Sequence, residues 1–165
     1  MFDTSKILPP KRNDYAGHRF ALYFLVLIAF RNTFRGCVHY FAPDGGAGII
    51  AGIPLANYSE GAVQSIIHGF GVFGVGHLLE AVLMWLVVFR YRSLIPLAYT
   101  YLLASQLLAM ALFAVKPLPV VPPGEKALYV LLPLTLGFFL LSIKRPRALP
   151  RSADTRSGTR PHATG

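Results

Sequence analysis

Cysteine is almost missing from this sequence: Cys37 is the single one among 165 residues. One thiol cannot form an intrachain disulfide or supply a thiolate metal cluster, which excludes disulfide-stapled scaffolds and cysteine-rich zinc folds. No ligand set has zinc spacing, and no serine, histidine and acid arrangement indicates hydrolysis. We therefore predict no metal site and favour a non-catalytic protein over an enzyme.

Acidic residues are also scarce, with seven Asp and Glu against sixteen Lys and Arg and a net charge of +9. Such an excess is typical of nucleic-acid binding, but here the basic residues lie mainly between and beyond apolar runs, as membrane flanks do. The chain is 54% hydrophobic, which is too apolar for an ordinary soluble domain. The sequence predicts one small membrane domain whose partner is the lipid bilayer, and no nucleic acid.

Long apolar runs define the predicted fold, which is all-α. We expect a polytopic membrane protein with four transmembrane helices in an antiparallel bundle, formed by residues 17–143, because about 20 apolar residues cross a bilayer as a helix. The spans are predicted at about 17–40, 62–89, 94–115 and 127–143. The first apolar run ends at Phe30, so its helix must continue through Arg31 and Arg35 to cross.

The basic residues predict the orientation. With both termini inside, twelve Lys and Arg lie on the cytoplasmic side and four outside, namely Arg31, Arg35, Lys116 and Lys126. Residues 1–16 are then a basic cytoplasmic tail and residues 144–165 a basic disordered one. No cleavable signal peptide pattern is present. We predict a multi-pass protein of a bacterial-type inner membrane.

The connections differ in character. Residues 41–59 read as a loop with no lysine or arginine, and we expect it to lie on the membrane surface or to dip back into the bundle. Asp44 is expected to form a turn there. The short Arg90-Tyr91-Arg92 turn forces the second and third spans to be antiparallel. Gln106, near the middle of the third span, is expected to hydrogen-bond to another helix.

Glu80 is the only formally charged side chain between Ile66 and Phe89. A carboxylate near the bilayer centre costs about 2.5 to 3.5 kcal/mol, so it is expected to face other helices. Gly69, Phe73 and Gly76 share its helix face, and the two glycines predict that this is the packed face.

Charged and imidazole groups recur near Glu80. Arg31, Arg35 and His39 form one stripe at spacings of four residues, with arginines that either snorkel to lipid phosphates or face a ligand. His77 lies three residues before Glu80. Depths counted from the middle of each span, at about 1.5 Å per residue, make Arg31 the nearest predicted cation to Glu80. We expect an outward-facing polar pocket with six ligand-binding residues: Arg31, Arg35, His39, His68, His77 and Glu80. The alternatives are that Glu80 and Arg31 only fix helix register, or that Glu80 contacts another subunit.

Histidines also raise the question of b-type haem, which a membrane four-helix bundle can hold between facing imidazoles. His39 and His68 are predicted to be level, on different helices, whereas His68 and His77 point to opposite faces of one helix. Haem is therefore disfavoured, and a quinone is the better candidate among cofactors.

The order of these parts resembles that of small bacterial four-helix membrane proteins of the DoxX-like kind. The resemblance covers residues 17–143 in layout: a basic N-terminus, a longer first loop, the stretch His77-Leu78-Leu79-Glu80-Ala81, the Arg90-Tyr91-Arg92 turn and a proline-rich outer connector. Some relatives of that kind are subunits linked to quinone redox chemistry, which the resemblance implies here without assigning any catalytic residue.

From these observations we predict an accessory or structural inner-membrane subunit whose pocket binds a small anion or a quinone head group. One alternative is a quinone-linked redox enzyme subunit that uses His77 and Glu80 for proton transfer. Another alternative is a small-solute transporter. A chain with only four spans would have to form a homo-oligomer to transport a solute. Besides the lipid bilayer, the expected partner is a membrane complex or a second copy of this chain in a homo-oligomer.

Overall fold

A computed structural model of the chain describes residues 8–117 and 121–144. Four helices account for nearly all of it: α1 is Arg19–Phe41, α2 is Glu60–Phe89, α3 is Ile95–Val115 and α4 is Pro123–Ile143. Each is long and apolar enough to cross a membrane. No strand occurs in the described ranges. The predicted all-α fold with four membrane-spanning helices is confirmed. The tails at 1–7 and 145–165 and residues 118–120 of the connector between α3 and α4 lie outside the described residues.

Helix α4 is longer than its predicted span of 17 residues, because it begins at Pro123 and reaches 21 residues. Proline is accepted in the first helical turn, where its missing N–H would have no partner in any case. The carbonyl of Pro122 accepts the Glu125 N–H at 3.0 Å and closes this first turn. Pro123 is therefore the first residue of α4, whereas the predicted span began only at residue 127.

The helices pack in the order α2, α1, α4, α3. Helix α1 makes its most extensive contact with α2, and α3 makes its own with α4, while α1 also touches α4. A short 3-10 turn at Arg92–Leu94 joins α2 to α3. We call the end that holds this turn, the start of α1 and the end of α4 the turn end, and the opposite end, with residues 42–59, the loop end.

The apolar core occupies only the half of the bundle next to the turn end. Its buried members come from the first half of α1, the last turns of α2 and the first turns of α3: Ala21, Leu25, Ile28, Ala29, Met84, Val88, Ile95, Tyr99 and Leu102. The one polar atom among these side chains is satisfied, since the Tyr99 hydroxyl donates to the Ala21 carbonyl at 2.7 Å. Apolar packing therefore fills the turn half of the bundle, and the polar residues described below lie in the loop half.

Two glycines bring α1 and α2 together in the loop half. A Cβ added to Gly36 would lie 2.7 Å from the Leu78 side chain, and one added to Gly74 would lie 2.9 Å from the backbone nitrogen of Tyr40. Both positions are buried. Each glycine removes the side chain that would otherwise hold the two backbones apart.

The predicted packed face of α2 was wrong. Gly69 and Gly76 are exposed, and a Cβ at either would meet nothing within 4 Å. The face that packs carries Gly74, Ala81 and Val88, which recur every seven residues. The local sequence does not distinguish a glycine on the outer face of a helix from one that packs against a neighbouring helix. The prediction was centred on Glu80 and therefore selected the wrong glycines.

The N-terminal segment is held against the turn end. The carbonyl of Pro9 accepts hydrogen bonds from the Tyr91 hydroxyl at 2.7 Å and from the Arg90 guanidinium at 3.2 Å. The Arg12 N–H donates to the Arg90 carbonyl at 3.1 Å. The described part of the predicted 1–16 tail is thus bonded to the α2–α3 turn.

Helices α3 and α4 are joined by a buried polar contact at mid-height. The Gln106 side-chain N–H donates to the Thr135 hydroxyl at 3.0 Å, and both residues are buried. The expectation that Gln106 bonds to another helix is confirmed.

The glycine contact gives a first prediction, made with matched variants. Gly74→Ala should lower the thermal unfolding temperature in detergent, because overpacking against a backbone atom costs about 1 to 3 kcal/mol, more than the ~1 kcal/mol that alanine gains in helix propensity. Gly76→Ala, two residues along the same helix but in open space, should leave the temperature unchanged or raise it. Equal effects of the two substitutions would contradict the close α1–α2 contact.

Candidate functional site: a polar cluster between the helices

The polar cluster begins with the stripe on α1. Arg31 and Arg35 are half-buried and His39 is buried, so the stripe faces the bundle. The Arg31 guanidinium donates to the Asn32 side-chain oxygen at 3.3 Å. The Arg35 guanidinium carbon lies 5.8 Å from the centre of the Phe73 ring on α2.

Arg35 also reaches α4. A Cβ added to Gly124 would lie 3.3 Å from one of its terminal nitrogens. Its guanidinium therefore lies between α2 and α4. Of the two readings of the α1 arginines, this placement favours a group that faces the protein over one that snorkels to lipid.

On α2, His77 and Glu80 form the predicted pair. The Nδ1 of His77 lies 3.5 Å from the Glu80 carboxylate, and each side chain is 14% exposed. The Phe73 ring packs edge-on against the His77 ring at 4.5 Å. The other ring nitrogen of His77, Nε2, is buried and has no hydrogen-bond partner among the described residues.

His39 links the two helices to the loop. Its Nδ1 lies 2.7 Å from the Gly45 carbonyl. Because a carbonyl only accepts, this nitrogen carries the hydrogen and donates it. The His39 and His77 rings are 6.2 Å apart and 24° from parallel. Gly74 allows this approach, since the Cβ of any other residue there would lie 2.9 Å from the His39 Cβ.

The loop folds as a cap over the end of α1 and lies beside α2, where Gly45 packs against Ile67 and Phe70. The Asp44 carboxylate accepts three backbone N–H groups, from Gly46 at 2.8 Å, Gly48 at 3.1 Å and Ile49 at 2.9 Å. These hydrogen bonds stabilise the charged form and hold the pKa of Asp44 below its ordinary value. Gly45 and Gly46 have φ of 60° and 77°, a region that glycine adopts without strain. The expectation that Asp44 forms a turn is confirmed.

The structure brings together five of the six predicted site residues. Arg31, Arg35, His39, His77 and Glu80 cluster, whereas His68 is exposed on α2. The His39 ring faces the rings of Phe70, Phe73 and His77, and within the described ranges it forms no ring pair with His68. His68 therefore lies outside the cluster that the other five residues form. Its position level with His39 was inferred from depth alone, which says nothing of the direction in which a side chain points.

The predicted approach of Arg31 to Glu80 also needs correction. Within residues 8–117 and 121–144, no carboxylate lies within 4.0 Å of either α1 guanidinium. The contacts of Gly36 with Leu78 and of Asn32 with Met84 set the register of the two helices. This register places Arg35, one turn further along, level with Glu80. Centring each span on its own midpoint misplaced it, because the two helices are staggered along their axes and their midpoints do not lie side by side.

Two polar contacts beside the cluster were not predicted from the sequence. Asn32 is 2% exposed, and its side-chain N–H points at the Met84 sulfur at 3.8 Å. The Trp85 indole N–H donates to the Thr33 hydroxyl at 3.1 Å. A signal was available, because a polar Asn-Thr pair follows Arg31 inside a span, where such residues usually face another helix.

The cluster carries more positive than negative charge. Both α1 guanidinium groups lie near enough to the Glu80 carboxylate to interact with it electrostatically. Two arginines against one carboxylate leave an excess positive charge if both histidines are neutral. In a low-dielectric surrounding, an uncompensated charge is costly and attracts an anion or the lone pair of a carbonyl.

No family model, curated protein or solved structure matched the chain. The resemblance to DoxX-like proteins stays a prediction, and the function has to be argued from the residues of this chain.

The loop cap gives a second prediction. Asp44→Ala should increase hydrogen exchange of the amides of residues 46–49 by about tenfold or more, because three donors lose a charged acceptor. In wild type, the depressed pKa means that the Asp44 contribution is present above the ordinary Asp pKa of about 3.9 and is lost as the pH falls through the lower folded value. Asp14→Ala, an exposed residue near the turn end, is the control. Unchanged exchange in Asp44→Ala would contradict the cap.

Proposed function

We propose that this small multi-pass membrane protein binds a ligand with an acceptor oxygen, either a small anion or a quinone head group, in the polar cluster of Arg31, Arg35, His39, His77 and Glu80. The observation that carries the proposal is the pair of half-buried guanidinium groups with no ion-pair partner within 4.0 Å in the described chain. A buried arginine normally has a carboxylate or phosphate partner, and its planar donors suit carbonyl and oxyanion oxygens.

The unequal halves of the bundle support a site that is reached from the loop end. Apolar side chains fill the turn half, whereas the loop half holds the guanidinium and imidazole groups. A ligand with a polar head and an apolar tail, such as a quinone, fits a cluster that lies between apolar helices. The layout resemblance to DoxX-like proteins supports the same ligand class.

We further propose that the protein is an accessory or structural subunit of a bacterial-type inner membrane, with both termini cytoplasmic and the loop end outside. The distribution of lysine and arginine supports this orientation. The role is one of binding: the cluster offers donors and one carboxylate, which position a ligand without forming a covalent bond to it.

Trp85 provides a direct probe of binding, since it is the only tryptophan and its indole bonds to Thr33, two residues from Arg31. We predict that a short-chain benzoquinone quenches its fluorescence saturably in detergent. Arg31→Gln and Arg35→Gln should each weaken the apparent affinity about tenfold, the loss expected from removing one charged hydrogen-bond donor. Arg19→Gln, an exposed arginine at the start of the same helix, is the control.

Inorganic phosphate, titrated by calorimetry, tests the anion arm. Glu80→Gln removes a negative charge beside the arginines and should tighten phosphate binding by about tenfold, while a neutral quinone should respond little. Saturable quenching without phosphate binding identifies the quinone class, and the reverse identifies an anion. Absence of both, or equal effects of the Arg19 and Arg35 substitutions, would overturn the proposed site.

A further inference from the structure

The second ring nitrogen of His77, Nε2, has no role in the proposed ligand binding. The Nδ1 of this ring faces the Glu80 carboxylate at 3.5 Å, and an acceptor oxygen at this position favours the neutral ring with the hydrogen on Nδ1. In the neutral ring, Nε2 then has a lone pair, yet this atom is buried with no partner among the described residues. A buried acceptor of this kind is a free proton-binding position.

The nearest other titratable ring belongs to His39, which lies 6.2 Å from His77 and is held at Nδ1 by Gly45 of the loop. Because Nδ1 of His39 is a fixed donor, Nε2 is the nitrogen of this ring that gains or loses a proton. The two imidazoles therefore form a path from the loop cap to Glu80. In each ring, Nδ1 faces an oxygen and Nε2 is the nitrogen that can bind a proton.

The other direction is closed. Directly below Glu80, towards the turn end, the Asn32 and Thr33 side chains bond to Met84 and Trp85. Beyond them the space between the helices is filled by buried apolar side chains, with Leu25, Ile28 and Val88 among them. Tyr99, the hydroxyl-bearing residue in that core, donates to the Ala21 carbonyl. Apolar packing of this kind offers no chain of exchangeable protons.

We propose that Glu80 exchanges its proton with the loop end of the bundle only, through His77 and His39. A proton that binds Nε2 of His77 makes an imidazolium, which releases its Nδ1 proton to the Glu80 carboxylate. One proton enters the ring and one leaves it, and Glu80 becomes a neutral acid. The inference uses the same cluster as the proposed binding site, but it does not need the ligand.

The charged and titratable groups that face the relay come from α1, α3 and the loop. Arg31 and Arg35 on α1 act on Glu80, and Tyr101 on α3 lies near enough to interact with the same carboxylate. The loop contributes Asp44, whose carboxylate is held by backbone N–H groups. On α4, the residue against Arg35 is Gly124, which has no side chain, and Glu125 follows it.

A hydrophobic carbodiimide tests the inference, because it modifies protonated carboxyl groups inside membranes and the product at Glu80 is read by mass spectrometry. Membrane vesicles of both orientations are compared, and the loop side is identified by an impermeant thiol reagent on Asn57→Cys in a Cys37→Ser background. Acidification of the loop side from about pH 8 to about pH 6, a range in which imidazole titrates, should raise labelling of Glu80 several-fold before the gradient collapses. Acidification of the turn side should not.

His77→Gln and His39→Gln should each reduce the loop-side response several-fold, and glutamine keeps a donor for Glu80 or Gly45. His68→Gln, an exposed histidine on α2, is the control and should behave as wild type. Glu80→Gln should abolish the labelled product. Equal labelling from both sides, or wild-type responses in both the His39 and the His77 variants, would overturn the relay.

The proposed binding site and the proposed proton relay can be contradicted independently of each other. Quenching of Trp85 by a benzoquinone is measured in detergent, where the protein has no sides, so it reports binding alone. If the arginine-dependent binding persists while the sidedness of labelling is absent, the relay is wrong and the site stands. If labelling is one-sided but neither ligand binds, the relay stands without the proposed ligand.

Discussion

The close contact between α1 and α2 at Gly36 and Gly74 is the constraint on which the loop half of the molecule depends. Without a side chain at Gly74, His39 approaches the His77 ring; with one, the two helices would be pushed apart. The same contact fixes the register that places Arg35 level with Glu80. Helices in lipid gain little from apolar contact alone, since lipid tails offer the same environment, so small residues that admit close packing have a large influence on geometry.

The two halves of the bundle use different interactions. The turn half is stabilised by interlocked apolar side chains and by a strap of backbone and side-chain hydrogen bonds from Pro9 to Arg90 and Tyr91. The loop half has few buried apolar residues and is organised by the carboxylate of Asp44, the imidazole of His39 and the α1 arginines. Packing that holds the turn half rigid allows the loop half to carry polar groups that would be costly as the sole contacts of a membrane bundle.

Sequence reasoning predicted the fold well because each apolar run is long and the charges between runs are few. Gln106 and Asp44 were also placed correctly, since a lone amide in a span and an Asp before two glycines each have one common structural use. The direction in which helices face was harder. Periodicity identifies which residues share a face, but the choice between the Gly69–Gly76 face and the Gly74–Ala81 face depends on the position of α1, which local sequence does not contain.

The prediction of the site relied on which residues lie at the same depth in the membrane, and depth alone does not say which residues are in contact. Depth from the middle of a span assumes that all helices are centred on the membrane, and it chose Arg31 and His68 as neighbours of Glu80 and His39. The contacts show instead that α2 begins well beyond the level at which α1 ends, so neighbouring residues are identified by where the two backbones touch. An excess of guanidinium over carboxylate is independent of that register. The charge imbalance therefore survives the geometric correction, and it is the strongest reason to look for an oxygen-bearing ligand between these helices.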